Sequence, residues 1–398
     1  MRRRKVKTPQ KTVKRNTIRT KKTAARSKEK KTMRLKTLSV KNFRNLDEQT
    51  LRLSDGLNVF EGKNAQGKTN LLESIYLCCL GKSPRTDKHK EMIAYGKDYA
   101  KVSVDFCSRY GDADISVWLF NNKKKSIAVN GVPILKTGEM LGYLNAVYFD
   151  PDELRLIKSS PDNRRRFMDV DLSQTDKNYF YSLVNYNKVL SQRNSLIKNA
   201  KDADSLKDML FVWDTQLAAQ CARIVFKRQA FLARLKEVAR ETHYRLSGGQ
   251  ERLELTYLTK IEGDTVAQKQ RCAFEAFTSS LKRDMELRYT SVGCQRDDIK
   301  FAVNGVDLRE YGSQGQQRTA ALALKLAELT VFKETTGDYP VLLLDDVLSE
   351  LDVNRQKQLL TFDPALQIIL TATHIDATLQ KQLEYTGFKI EKGKAIKS

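Results

Sequence analysis

Histidine, tryptophan and proline are scarce in this chain of 398 residues, which holds three, two and seven of them. Three histidines, no two spaced as a pair, leave little from which to build an imidazole metal site. The six cysteines (Cys78, Cys79, Cys107, Cys221, Cys272, Cys294) contain no C-x-x-C pair and stand mostly among apolar neighbours. They read as reduced core residues of a cytoplasmic protein, not as zinc ligands or disulfides. No apolar run approaches the roughly eighteen residues of a membrane span, so no membrane partner is expected. Acid is the charge in short supply: 48 Asp and Glu against 71 Lys and Arg leave a formal net charge of +23. Residues 1–33 carry fifteen Lys or Arg against one Glu, which is +14 of that excess. This stretch has too few apolar residues to bury a core and is expected to be a disordered basic tail. It lacks the apolar h-region of a secretory signal. Its composition suits nucleic acid or an organelle-type transit peptide, and Met33 is an alternative translation start.

What is present begins with Gly62-Lys63-Asn64-Ala65-Gln66-Gly67-Lys68-Thr69, which fits G-x-x-x-x-G-K-[ST]. Gly56–Phe60 reads as a buried strand entering this loop, and Asn70–Ile75 as a helix leaving it, which is the context a phosphate loop requires. The two glycines let successive N–H groups point at phosphates, and the helix dipole adds to the attraction. Lys68 is expected to reach the β- and γ-phosphates of ATP and the Thr69 hydroxyl to ligate Mg²⁺. Asn70 opens the helix beside them.

Almost three hundred residues later, Val341–Leu344 is an apolar run of the kind found in a central parallel strand, and it ends in Asp345-Asp346. Asp345 is expected to bind Mg²⁺, and Asp346 to orient or deprotonate the attacking water. One ATPase site built from both ends of a chain implies an insertion between them. Ser313-Gln314-Gly315-Gln316-Gln317-Arg318 opens a strongly helical stretch, and a Ser and Gly at a helix N-terminus form an anion site. Ser313, Gly315 and Gln316 are expected to face the γ-phosphate held by a second copy. A rival for this role, Leu246-Ser247-Gly248-Gly249-Gln250, spells the signature of ABC transporter ATPases. The alternating residues Glu251–Tyr257 behind it predict a strand, so this turn has no helix dipole to offer an anion.

Between the halves, Tyr99–Phe106, Ile115–Phe120 and Lys123–Gly131 predict a small antiparallel sheet, with Asn130-Gly131 a hairpin turn. From about Asp152 to Leu246 the period is helical, without sustained heptads, and predicts a compact lobe. The expected organisation is the tail at 1–33, an N-terminal ATPase half at 34–151, a mainly helical lobe at 152–288 and a C-terminal ATPase half at 289–398. Basic runs suited to DNA phosphates are Lys82, Arg85, Lys88 and Lys90; Lys123–Lys125; and Arg164–Arg166.

These pieces, in this order, resemble the bacterial RecF family, SMC-like members of the ABC ATPase superfamily. The likeness runs from about Met33 to the C-terminus. It includes Leu35–Asn45, Phe149–Leu154 with Pro161–Asp169, and above all Ser313–Arg318 with Leu344–Asp352. The resemblance implies an α/β fold, an ABC/SMC-like ATPase head with a mixed sheet plus the inserted lobe. It implies an ATP-dependent homodimer of slow turnover that binds double-stranded or gapped DNA. It also implies help in loading RecA, with RecO and RecR as partners. The chain departs from the pattern at Gly293-Cys294-Gln295-Arg296-Asp297-Asp298, where family members often carry Pro-His in place of Cys294-Gln295. It departs again at Asp150, where ABC ATPases place a Gln after the middle strand. His374 follows the strand Gln367–Thr373, where ABC ATPases often put a γ-phosphate sensor. The alternative is an ABC-type ATPase subunit driving a transporter, and another is a defence-associated ATPase with a similar head. The misplaced Leu246–Gln250 run and the basic body speak against the first, and the lack of a further catalytic carboxylate cluster against the second.

Overall fold

The computed structural model describes residues 32–200 and 204–398; the expected tail lies, up to residue 31, outside the described residues. The chain opens with β1 (Arg34–Lys41), β2 (Gln49–Arg52), β3 (Leu57–Glu61) and α1 (Lys68–Leu80). The strands β4 (Tyr99–Ser108), β5 (Gly111–Phe120), β6 (Ser126–Val129), β7 (Val132–Ile134) and β8 (Ala146–Phe149) follow. Then come α2 (Pro161–Thr175), α3 (Lys177–Asn199), α4 (Asp204–Leu246), β9 (Leu253–Leu258), α5 (Val266–Ser279) and α6 (Leu281–Leu287). The last part holds β10 (Asp298–Val303), β11 (Val306–Asp307), α7 (Gln314–Thr336), β12 (Val341–Asp345) and α8 (Val353–Leu360). It closes with β13 (Ile368–Ala372), α9 (Ala377–Gln382), β14 (Tyr385–Glu391) and β15 (Lys394–Lys397).

Two sheets form the head. One is antiparallel, in the order β2-β1-β4-β5-β6-β7; the other runs β15-β14-β3-β13-β12-β8 and is parallel except for the β14–β15 hairpin. The parallel strands β3, β12, β13 and β8 are near-continuous apolar runs because both faces are covered. Between the sheets, α1 buries Leu71, Leu72, Ile75 and Leu77 against Val102, Val104, Val117 and Leu119. On the opposite face, Leu322, Leu326 and Leu329 of α7 pack with Leu342, Leu344, Val59 and Leu370. The C-terminal ends of the parallel strands lie at one edge, which in open α/β sheets is where ligands bind.

The insertion is a helical lobe whose core of Tyr186, Leu217, Cys221, Ile224, Val225 and Phe277 continues onto Ala320, Ala323 and Leu324 of α7. Its backbone is α4, 43 residues long, which ends in the Ser247–Gly249 turn. The strand expected after that turn is β9. It pairs antiparallel with β10, which pairs with β11, so the chain from 298 to 307 completes the lobe before α7 re-enters the head. The Asn130-Gly131 hairpin turn is present, with φ of 51° and 73°, the left-handed region favoured by these residues.

Candidate nucleotide site

The phosphate loop leaves β3 at Glu61 and turns into α1 through Gly67, whose φ of 108° is closed to most other residues. Gly62 is glycine for a packing reason as well: a Cβ there would stand 2.5 Å from the Ile390 carbonyl oxygen. Lys63, Asn64 and Ala65 are exposed at the tip of the loop. Lys68 is buried, and its Nζ folds back on the Lys63 carbonyl at 3.0 Å and that of Gly62 at 2.5 Å. Burial pulls its pKa down, opposed by the Asp346 and Asp345 carboxylates. An ammonium held by carbonyls of its own loop is placed to exchange them for phosphate oxygens.

The acidic strand arrives beside it. Thr69 Oγ1 donates to Asp345 Oδ1 at 3.0 Å, Thr371 Oγ1 to the same oxygen at 2.7 Å, and Tyr148 Oη to Asp345 Oδ2 at 2.7 Å. Three hydroxyls from three elements therefore fix a carboxylate that is 7% exposed. The pair fits magnesium. Adjacent oxygens in an octahedron of about 2.1 Å bonds lie about 3 Å apart, and that matches the spacing of the Thr69 hydroxyl and the Asp345 carboxylate. Among the described residues no cluster of three or more His, Cys, Asp or Glu forms a separate metal site. Phosphate oxygens and water would complete the shell. Asp346, next along, has φ of 53° and its N–H on the Thr371 carbonyl and hydroxyl. Its carboxyl is pushed up by burial, held down by Lys68 and raised again by Asp345 and Glu350. A raised carboxylate beside the phosphate lysine suits a proton acceptor for water. His374 stands exposed past β13, its Nδ1 3.3 Å from Glu61 Oε1 at the root of the loop.

The residues expected at the γ-phosphate of another copy are elsewhere. Ser313 caps α7: its Oγ accepts from Gln316 N at 3.2 Å, and Gln316 Oε1 accepts from Ser313 N at 3.0 Å. Among the described residues no hydrogen bond or ion pair joins this cap to residues 62–70. A Cβ on Gly315 would meet nothing of its own chain nearer than Ser313 Oγ at 3.9 Å, so the fold itself does not demand glycine there. Arg318, one turn on, grips Glu350 through Nη2 at 2.6 Å and thus holds the turn that follows Asp346.

Several participants carry no motif. Asn45 Nδ2 reaches the Ala65 carbonyl at 3.2 Å, and its Oδ1 accepts from Asn70 Nδ2 at 2.7 Å, so the turn after β1 braces the loop. Arg44 pairs with the fully buried Glu73 of α1 at 2.7 and 2.9 Å. Tyr148 and Thr371 were visible in sequence only as strand residues. Their hydroxyls matter through pairing of β8 and β13 with β12, which no local pattern reports.

One expectation needs correction. Arg164 and Arg165 are not free cations of a basic run. Arg164 is 1% exposed and forks onto Asp298 at 2.6 and 2.9 Å. Arg165 donates to the Asp297 carbonyl at 2.6 Å. Only Arg166 is exposed, and it reaches the Pro84 carbonyl at 2.9 Å, beside Lys82. In the Gly293–Asp298 run, where the chain departs from the family pattern, Gln295 is bonded to the Tyr186 hydroxyl, and the buried Cys294 accepts at its carbonyl from Arg228 at 2.7 Å.

A phosphate loop at the strand edge of a mixed sheet, an acidic strand beside it and a separate capped helix on the far half define an SMC-like ATPase head. The sequence profile of RecF/RecN/SMC N-terminal domains matches residues 34–395. A relative from Lachnoclostridium phytofermentans named DNA replication and repair protein RecF is 42% identical over 352 residues, 88% of this chain and 96% of that one. A structure of the recombination mediator protein RecF with ATPrS, in the RecFOR pathway, superposes with a TM-score of 0.86. It is 39% identical and spans 92% of this chain and 99% of its own. The corresponding RecF-ATP structure gives a TM-score of 0.84 at the same identity over 92% and 98%. The chain belongs to the RecF family.

Proposed function

We propose that the chain is an ATP-dependent, DNA-binding dimer of recombinational repair and replication, acting in the cytoplasm. It would bind duplex or gapped DNA and help load RecA together with RecO- and RecR-like partners. The observation that carries this reading is the division of the site. Lys68, Thr69 and Asp345 form one half, and the Ser313 cap with its open Gly315 forms another that its own fold leaves unused. Two copies related by a two-fold axis would complete each other's sites, an isologous dimer. In that dimer Lys68 and the loop N–H groups bind the triphosphate, and Thr69 and Asp345 hold Mg²⁺. When bound, the metal offsets charge building on the phosphate oxygens. Ser313 and the α7 N-terminus would meet the γ-phosphate across the interface, Asp346 would take a proton from the attacking water, and His374, beside Glu61 at the root of the loop, would sense the γ-phosphate. Loss of that phosphate would remove what the two copies share and open the clamp, so ATP acts through its differential affinity for the closed state. Lys82, Lys88, Lys90, Lys123, Lys124 and Arg166 are exposed cations for the DNA backbone. No helix of the described residues is long and apolar enough to cross a membrane.

The test is duplex binding by the full chain with ATP and with ADP, beside Lys68→Ala. Attraction by the basic tail is common to both nucleotides, so the difference belongs to the clamp. Tight binding with ATP, weak binding with ADP and no difference in Lys68→Ala is the expected result. Equal binding in both states by the native chain would reject the clamp.

A further inference from the structure

The Leu246–Gln250 turn has no anion-binding helix behind it, yet the residue after it touches the first turn of α7. Glu251 Oε1 accepts from Gln316 Nε2 at 2.8 Å, 65 positions away. Glu251 is itself tied to the end of α4: its N–H donates to Ser247 Oγ at 3.2 Å, and its carbonyl lies 3.4 Å from Nδ1 of the buried His243. Its second oxygen, Oε2, stands 3.7 Å from His243 Nε2.

A carboxylate only accepts, so the Gln316 amide must turn its NH₂ group to Glu251. That orientation alone aims Gln316 Oε1 at Ser313 N and closes the capping box. Both ends of the Gln316 side chain are thereby engaged within one subunit. The Ser313 hydroxyl hydrogen and the Gly315 N–H have no partner among the described residues, and both residues are exposed.

We propose that Glu251 is a positioning residue for the composite nucleotide site. It sets the Gln316 amide, and Gln316 shapes the α7 N-terminus without itself contacting nucleotide. Ser313 and Gly315 then make the contacts to the triphosphate of the second copy. The lobe's long helix α4 is coupled through this one bond to the face that closes on ATP. This proposal rests on the composite-site reading above.

The experiment measures the protein concentration needed for half-dimerisation with ATP, by sedimentation velocity on the full chain. Nucleotide affinity and the nucleotide-free melting temperature are followed in parallel. Glu251→Ala is expected to raise that concentration roughly tenfold or more, the weight of a hydrogen bond to a charged group, with ATP affinity unchanged. Glu251→Gln keeps an acceptor and should dimerise like the native chain. Gln316→Glu sets two carboxylates against each other and should repeat the loss; the double variant Glu251→Gln/Gln316→Glu re-forms the bond with its donor reversed and should recover dimerisation. Loss and recovery of dimerisation at an unchanged nucleotide-free melting temperature is a result a merely stabilising role would not produce, and the double variant remains readable even if Glu251→Ala folds poorly. Native-like dimerisation of Glu251→Ala, or no recovery in the double variant, overturns the proposal. Ser313→Arg separates the two levels: if it blocks dimers while Glu251→Ala does not, only this inference fails. If Ser313→Arg dimerises normally, the composite site fails and the inference with it.

Discussion

Thr69 and Asp345 are 276 positions apart in the chain and 3.0 Å apart in space, hydroxyl to carboxylate. The contact exists because β12 inserts between β8 and β13 and delivers its last residue to the start of α1. Asp345→Asn tests what the carboxylate does. Asparagine keeps an oxygen for the Thr69 and Thr371 hydroxyls, and the Tyr148 hydroxyl can accept from its amide, so the fold should survive. The negative charge facing the cation is lost. ATP affinity with Mg²⁺ is expected to fall by about tenfold or more, while affinity in EDTA changes little. An equal loss in both conditions, read by titration calorimetry, would place Asp345 outside the metal site.

The C-terminal hairpin latches the phosphate loop from the other side. Gly393 N donates to the Gln66 carbonyl at 3.0 Å, and the Gly393 carbonyl accepts from Asp47 N at 3.3 Å and Gln49 Nε2 at 2.7 Å. Its φ is 83°, and a Cβ there would stand 2.0 Å from the Asn45 carbonyl oxygen. Gly393→Ala must therefore move either the hairpin or the Asn45 turn that braces the loop. A loss of about 1–3 kcal/mol in stability is expected from the strained backbone, with weaker ATP binding. Unchanged ATP affinity in the variant would show that the hairpin does not hold the loop.

Much of this site was legible because its chemistry is local. The Gly62–Thr69 spacing, the apolar run into Asp345 and the Ser313 cap each need only a few consecutive residues. The alternation of Glu251–Tyr257 was enough to rule out a helix behind the Leu246–Gln250 turn. What escaped was chemistry made by pairing. Tyr148 and Arg164 look alike in sequence to any strand tyrosine and any basic run. One became a hydroxyl that holds the Asp345 carboxylate and the other a buried ion pair with Asp298 only through contacts 197 and 134 positions long. The β9–β10–β11 sheet spans what sequence periodicity divided near residue 289, because register across a long helical gap leaves no local trace.

Asp150 follows β8 where the wider superfamily is expected to place a glutamine. Burial, and behind it the Glu153 and Asp152 carboxylates, push its carboxyl up to about 6, while the Glu153 N–H and Lys325 draw it down. An unfolded aspartate titrates near pH 3.9, so the folded chain binds more protons between about pH 4 and 6 and gains stability as pH falls through that window. Above it the buried charge is a cost. Asp150→Asn keeps an acceptor for the Glu153 N–H, which lies 2.9 Å away. It is expected to stabilise the chain by roughly 1–3 kcal/mol near neutral pH, with the gain fading toward about pH 4. Urea melts across that range decide it; a gain that stays constant with pH would refute the assignment.

One guanidinium joins four helices of the lobe. Arg193 is fully buried; its Nε donates to Asp214 Oδ1 at 2.6 Å, its Nη1 to Asp284 Oδ2 at 2.6 Å and Thr290 Oγ1 at 2.8 Å, and its Nη2 to the Phe277 carbonyl at 3.0 Å. Helices α3, α4, α5 and α6 meet at this side chain. Burial already lifts the Asp214 carboxyl, and the attraction of Arg193 is what opposes it. Arg193→Ala strands two buried carboxylates and is expected to cost about 3–5 kcal/mol. Arg193→Lys should recover only part of this, since an ammonium cannot span the same fork. No bond of the cluster reaches residues 62–69, so at temperatures where Arg193→Ala remains folded its ATP affinity should equal that of the native chain. A variant as stable as the native chain would show that the lobe is held by its apolar core alone.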